Sequence, residues 1–174
     1  MDLKSSIRDI PHFPKHGVIF KDITTLLNDN RCFRYAVSEM VEHFKDERID
    51  KVVSAESRGF IFGSVIAHKL HAGFVPLRKP GKLPHETIRE EYETEYSKDA
   101  FEIHRDAIKE GENVLIVDDL LATGGTMEAA TKLVERLGGN IVGIAILIEL
   151  GFLKGRDRLT KYEVFTLVNY EEEE

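Results

Sequence analysis

Four short apolar runs recur along the chain: Lys51 to Ala55, Phe74 to Leu77, Val114 to Val117 and Ile141 to Ile148. Runs this rich in Val, Ile and Leu read as strands buried on both faces, which requires helices above and below them. The stretches between them have helical period. After the first run, Phe60, Gly63, Ser64, Ala67 and Leu70 fall on one face of a helix. After the third, Met127, Ala130, Thr131, Val134 and Leu137 form a stripe closed by Gly138 and Gly139. Strands alternating with helices in this way specify an α/β fold with a mostly parallel central sheet flanked by helices. The length of 174 residues suits one domain spanning 1–174.

Two regions break the rhythm. The segment IPHFPKHGVIFKDITTLL sets two prolines and a glycine around an apolar cluster, which predicts an irregular cap over residues 1–30 rather than a sheet element. Pro80 to Asp99 is highly charged with few aliphatic residues, so 80–99 reads as a flexible loop leaving the core, the usual form of a lid. Cys32 lies in a helical pattern with Phe33, Ala36, Val37 and Met40, and is expected as a buried thiol without a disulfide. His68 and His71 read as a solvated helix end, and no structural metal is expected. The run Glu171 to Glu174 reads as a solvated tail.

Charge restricts function further. A formal net charge of −7 gives no electrostatic footing for general affinity to nucleic acid or anionic membranes. An anion bound here must be held by local cations and backbone amides. The longest apolar run, IVGIAILI, is too short to span a bilayer before Glu149 ends it, and the first residues contain no apolar leader, so cytoplasmic residence is expected.

The stretch VLIVDDLLATGGTM, Val114 to Met127, carries the chemistry. Ligands of open parallel sheets bind beyond the carboxyl ends of the strands, where Asp118 and Asp119 stand. Leu120 to Thr126 then leads to a helix N-terminus whose unpaired amides and dipole attract an anion. Thr123 and Thr126 add hydroxyls, and Gly124 and Gly125 let the backbone close around a phosphate. Neither G-x-x-x-x-G-K-[ST] nor G-x-G-x-x-G occurs, which excludes a P-loop and a dinucleotide fingerprint. Carboxylates accept from ribose hydroxyls or hydrated Mg²⁺, so the string describes a sugar-phosphate pocket. The plainer alternative is a strand–loop–helix turn with a capping Asp.

The string DDLLATGGT after an apolar strand closely resembles the phosphoribosyl-pyrophosphate (PRPP) motif of the type I phosphoribosyltransferases. FPKHGVIFKDIT, ESRGFIFG, VPLRKPGKLPHETI, EYETEYSKDAFEIHRDAI and VDDLLATGGTMEA resemble the adenine branch of that family over essentially the whole chain. The resemblance implies a type I phosphoribosyltransferase-like fold with a small N-terminal hood and a lid, and transfer of the phosphoribosyl group of PRPP to adenine N9, giving AMP and pyrophosphate. It places Asp118 and Asp119 at the ribose hydroxyls and the 5′-phosphate at Ala122, Thr123, Gly124, Gly125 and Thr126. Pyrophosphate falls to Ser57, Arg58, Arg78, Lys79 and Lys82, with a non-proline cis peptide often found at the Ser57 position. Adenine falls to Ile19, Phe20 and Lys21, with Leu150 opposite. Glu95 and Tyr96 match a lid dipeptide with a catalytic part, alongside Arg58.

Mg²⁺ is the implied cofactor, with no direct protein ligand beyond a water-mediated contact to Asp118 or Asp119, and the implied assembly is a homodimer. The hood departs from the family at Lys21, where Arg is frequent, and at His16, where a proline often precedes the glycine. Two other functions share the PRPP motif: transfer to another base such as hypoxanthine, guanine, xanthine or orotate, and a non-catalytic PRPP-sensing regulator. The 6-oxopurine enzymes usually have Glu where Asp118 stands, and a regulator would ordinarily carry a DNA-binding segment and basic charge.

Overall fold

The computed structural model describes residues 1–94 and 97–173. A 3₁₀ turn at Lys4–Ser6 precedes β1 (Arg8–Pro11), β2 (Ile19–Asp22), α1 (Thr24–Asn28) and α2 (Asn30–His43). Then come β3 (Lys51–Ala55), α3 (Gly59–Lys69), β4 (Gly73–Leu77), β5 (Thr87–Glu93), β6 (Lys98–His104), β7 (Asn113–Leu121), α4 (Gly125–Arg136) and β8 (Asn140–Leu150). Two 3₁₀ turns, Gly151–Leu153 and Gly155–Leu159, lead to β9 (Val164–Tyr170).

The central sheet has five strands in the order β4-β3-β7-β8-β9, and every pairing is parallel. Successive residues of a strand point to opposite faces, so each inner strand feeds two cores. Leu115, Val117, Ala145 and Leu147 pack with α2 and α3, while Val114, Ile116, Ile144 and Ile146 pack with α4. Within α2 the expected thiol of Cys32 is buried, and Asp29 caps the helix by accepting from the backbone N–H groups of Arg31 and Cys32.

Several elements differ from their expected form. The N-terminal segment is an antiparallel hairpin, with Arg8 opposite Asp22 and Pro11 opposite Ile19. Pro11 ends β1, and Pro14 and Gly17 fall in the connection, so the turn residues separate the strands rather than interrupt them. Much of 80–99 is likewise not loop. β5 pairs antiparallel with β6, Ile88 and Tyr92 are buried against Phe101, Ile103 and α4, and the exposed Arg89, Glu91 and Glu93 account for the segment's charge. Ile88, Glu90 and Tyr92 share the inward face, but the middle one is a glutamate paired with Lys132 and Arg136 of α4, which breaks the apolar alternation that would mark a strand.

The third run extends as β7 to Leu121, so Asp118 and Asp119 lie within the strand, where Asp118 sits opposite Ile146 and Leu121 opposite Glu149. β9 is a fifth strand of the sheet that the four expected runs do not include, although VFTLV at 164–168 is itself apolar and strand-forming; most of its residues are half buried at the sheet edge. On α3 the buried residues are Gly59, Phe62, Gly63, Ile66 and Ala67, a stripe rotated from the one expected through Phe60 and Ser64. That helix is apolar nearly all round, so its period does not select a face. The Glu56–Ser57 peptide is cis, as the resemblance implies, and so is Phe13–Pro14.

Gly63 decides how closely α3 approaches β3. A Cβ there would stand 2.8 Å from Ser54 Cβ and closer still to its hydroxyl, which finds no hydrogen-bond partner among the described residues. Gly63→Ala is expected to destabilise by about 1–3 kcal/mol through overpacking. Ser54→Ala should be neutral or stabilising, because it removes a buried unpaired hydroxyl. In the double variant part of the Gly63→Ala loss should return, a non-additivity that urea unfolding of all four proteins would measure.

Candidate functional site

The ends of β3 and β7 are neighbours in the sheet, and their extensions open on a common cleft of about 670 Å³. Its lining includes Ser57, Arg58 and Lys79, the pair Asp118 and Asp119, and Ala122, Thr123, Gly124 and Thr126. Ile19, Lys21 and Leu150 line it too. Twelve of the eighteen residues singled out from the sequence therefore meet at one surface.

Asp118 and Asp119 are 7% and 6% exposed. Asp118 Oδ1 accepts the backbone N–H of Asp119 at 2.9 Å and abuts the start of α3, where a Cβ on Gly59 would come within 2.6 Å of it. Asp119 Oδ2 forms an ion pair with Arg58 Nε at 2.8 Å. Burial pushes the Asp118 carboxyl well above the usual carboxylate range, and the neighbouring charge of Asp119 adds to it. Asp119 is also raised by burial, which the positive charge of Arg58 counters. The guanidinium of Arg58 lies 5.0 Å over the ring of Phe20, joining the hood to the carboxylate pair through a cation–π contact.

The remaining cations are organised by acids. Glu56 accepts from Arg78 Nε at 3.2 Å, Lys82 Nζ at 3.1 Å and the Lys79 backbone N–H at 2.8 Å. Burial alone would raise its carboxyl, but these hydrogen bonds and charges hold it below the usual range. Arg78 and Lys82 thus turn to Glu56 and do not line the cleft, whereas Lys79 does. Lys79 Nζ donates to the Tyr92 hydroxyl at 2.5 Å, pairs with Asp99, and lies 5.1 Å from the ring centres of Tyr92 and Phe101. Desolvation works against its charge, but the bonds to Asp99 and Tyr92 raise its pKa on balance.

In the hood, Lys21 Nζ donates to Asp9 Oδ1 at 2.8 Å and sits 4.0 Å over the Tyr170 ring, so its ammonium is directed away from the base end. His16 stacks on His12 at 4.3 Å. Phe20 meets Phe13 edge-on at 5.1 Å and reaches the cleft only through Arg58. Gly125 lies behind the loop as the first residue of α4, where a Cβ would stand 2.5 Å from the Glu93 carbonyl oxygen. Glu95 and Tyr96 lie outside the described residues.

Several lining residues escape sequence reasoning. Glu56 lay inside the ESRGFIFG string but carried no role. Tyr92, Thr94 and Phe101 come from the hairpin read as loop, and Phe152 and Leu153 follow Leu150. Glu173, assigned only to a solvated tail, also borders the cleft.

Among the described residues no group of three or more His, Cys, Asp or Glu is placed to hold a metal ion. The carboxylates on the cleft are Asp118, Asp119, Glu56 and Glu173, of which Glu56 is held by Arg78, Lys79 and Lys82 and Asp119 is paired with Arg58. That set suits Mg²⁺, which keeps several waters and takes one or two carboxylates together with substrate phosphate oxygens.

The sequence matches the phosphoribosyl transferase domain family over residues 27–173. It is 59% identical over 171 residues to the adenine phosphoribosyltransferase of Clostridium perfringens, covering 98% of this chain and 99% of that one. The crystal structure of adenine phosphoribosyltransferase from Thermoanaerobacter pseudethanolicus superposes with a TM-score of 0.94 at 50% identity, covering 97% of this chain and 98% of the other. The Saccharomyces cerevisiae enzyme, crystallised with D-2,5-dideoxy-2,5-imino-altritol 1,6-bisphosphate and adenine, gives a TM-score of 0.89 at 43% identity, with 95% and 96% covered.

The raised carboxyls have a consequence for stability. Their folded-state values exceed the unfolded ones, so between the two the folded chain binds more protons than the unfolded chain, and stability falls as pH rises through that window. Asp118→Asn removes the larger of these costs. It is expected to stabilise the protein near neutral pH, because an amide of the same volume escapes the desolvation that opposes the buried charge. The difference should shrink to nothing below about pH 4, where the unfolded carboxyl is protonated too. Urea unfolding across a pH series measures both.

Proposed function

The chain belongs to the phosphoribosyltransferase family, in its adenine branch, and from that premise we propose how this cleft carries out the family's reaction. The protein is a pentosyltransferase that moves the 5-phosphoribosyl group of PRPP to N9 of adenine, giving AMP and pyrophosphate in purine salvage. The observation that best supports the site assignment is the buried Asp118–Asp119 pair, which lines one cleft together with a small-residue loop, Arg58 and Lys79.

The 5′-phosphate is assigned to the loop from Ala122 to Thr126, where the amides at the start of α4 and the hydroxyls of Thr123 and Thr126 can donate to it. Asp118 and Asp119 then accept from the 2′- and 3′-hydroxyls. Pyrophosphate is assigned to Ser57, Arg58 and Lys79, with Arg78 and Lys82 one step behind on Glu56. Adenine lies between the main chain of Ile19 and Lys21, Phe20 and the wall at Leu150.

Reaction breaks the bond from the anomeric carbon to pyrophosphate as N9 attacks, through an oxocarbenium-like state. The carboxylates face the positive ribosyl charge, and the cations receive the negative charge of the leaving group. Arg58 serves both sides, because its ion pair with Asp119 loosens as it turns to the diphosphate. Mg²⁺, when bound, neutralises diphosphate charge and orients the substrate. Glu95 is assigned to the proton on adenine N7 and Tyr96 to the closing lid over 80–99, with residues 1–30 as the hood of a single unit. A homodimer resident in the cytoplasm completes the proposal on family grounds.

Purified protein given Mg²⁺ and PRPP should form nucleotide from adenine and not from hypoxanthine, guanine or orotate, as resolved by chromatography. A product from another base would overturn the assignment of the hood. Arg58→Ala should lower kcat/KM by roughly 10²–10³, the usual effect of removing one charge-stabilising donor, and Glu95→Gln should lower kcat more than the KM for PRPP. Unchanged turnover in either variant removes that residue from the mechanism.

A further inference from the structure

The loop assigned to the 5′-phosphate is backed by a second, separate piece of chain. Gly155 stands directly behind it. A Cβ built on Gly155 would lie 2.9 Å from Gly124 N and 3.1 Å from Ala122 C, and closer still to the Ala122 carbonyl oxygen. Viewed from the loop, a Cβ on Gly124 would lie 2.5 Å from Gly155 O and 3.1 Å from Gly155 Cα. Two glycines therefore meet backbone to backbone.

They are glycine for different reasons. Gly124 has φ +87°, a conformation that side chains rarely adopt. Gly155 is not among the positive-φ positions, so its backbone would suit other residues and its requirement is one of space. Contact this close fixes where the loop backbone can lie, because neither strand of chain can yield without moving the other.

The turn Gly155–Leu159 is itself clamped at three points. Arg156 Nε and Nη2 reach the carboxylate of Glu149 at 2.9 and 2.6 Å, a bidentate pair to the end of β8. Arg156 Nη1 donates to Val164 O on β9 at 2.7 Å. Arg158 Nη1 donates to Glu128 on the first turn of α4 at 2.9 Å. Glu149 is only 6% exposed and also accepts from the Thr166 hydroxyl at 3.1 Å, so the clamp has a buried, fully bonded acceptor at its centre while Arg156 and Arg158 reach it from the surface.

We infer that the Gly155–Leu159 turn is the rigid rear wall of the phosphate loop, and that Gly155 and Arg156 are positioning residues for PRPP and AMP, acting through Gly124. The inference rests on the assignment of the 5′-phosphate to that loop. It goes further by locating, about thirty residues along the chain and outside the PRPP string, the groups that hold the loop amides in line. A backbone push of a fraction of an ångström misaligns several amide donors together, and such misplacement costs roughly ten- to a hundredfold in binding or rate. The contact falls on the phosphate-loop backbone at Ala122 and Gly124, so the effect of filling it is greatest for phosphate-bearing ligands.

The test uses the full chain with Gly155→Ala, Arg156→Lys and the loop variant Thr126→Val as reference. For each, the Kd for AMP, the KM for PRPP with Mg²⁺, the KM for adenine at saturating PRPP, and the melting temperature are measured. Gly155→Ala is expected to raise the AMP Kd and the PRPP KM roughly tenfold or more while the adenine KM holds. Arg156→Lys, which keeps the charge and loses the bidentate geometry on Glu149 beside Leu150, should raise the AMP Kd and the PRPP KM in smaller measure but still by more than the adenine KM, and it decides the question where Gly155→Ala does not fold. Equal losses for adenine and PRPP, or a lowered melting temperature with all constants unchanged, overturn the inference. If Thr126→Val binds AMP like the unaltered protein, the phosphate assignment beneath it fails; if Thr126→Val loses AMP while the Gly155 and Arg156 variants keep it, only the rear-wall inference fails.

Discussion

Two adjacent carboxylates buried inside a parallel strand are the constraint around which the rest of this structure is arranged. Asp118 and Asp119 stand in the sheet itself, where desolvation opposes both charges and the neighbouring Asp119 further opposes that of Asp118. What makes them tolerable is local: the Asp119 amide on Asp118, the guanidinium of Arg58 on Asp119, and a helix start brought close because Gly59 has no side chain. Arg58 and both aspartates also line the cleft. A ligand presenting hydroxyl donors or a hydrated cation would supply the partners that the fold only partly provides.

Charge is balanced on the cationic side by the same means. An acidic protein that must release a diphosphate needs its cations gathered and available. Glu56 gathers Arg78 and Lys82, and Asp99 with Tyr92 holds Lys79 between two aromatic rings. The antiparallel hairpin is thereby tied to the edge of the central sheet through Lys79, so the proposed lid and the diphosphate site share a residue. Backbone proximity does comparable work at the phosphate end, where Gly125 meets the hairpin and Gly124 meets Gly155. Glycine in these places is a spacing device that sets how near two segments can come.

Much of the architecture was legible in the order of residues. The four apolar runs became β3, β4, β7 and β8; β3, β7 and β8 are largely buried and leave a continuous signal, and β4 leaves one too although Gly73 and Phe74 are exposed at the sheet edge. The apolar run VFTLV of β9 was equally legible but was not among the four, whereas β5, with charged residues at four of its seven positions, looks like loop until its partners are known. The face of α3 was illegible for the opposite reason, an excess of apolar residues.

The carboxylate pair and its small-residue loop could be found by sequence alone, because a strand, two acids and a helix start are contiguous and their chemistry is local. Family likeness extended that to Ser57, Arg58 and Lys79, which the structure brings to the same cleft. Only the tertiary structure decided that Arg58 bridges Asp119 and Phe20, that Arg78 and Lys82 rest on Glu56, and that Gly155 backs the phosphate loop. Those relations join segments far apart in the chain, and no periodicity or spacing records a distance that exists only once the sheet has brought its strand ends together.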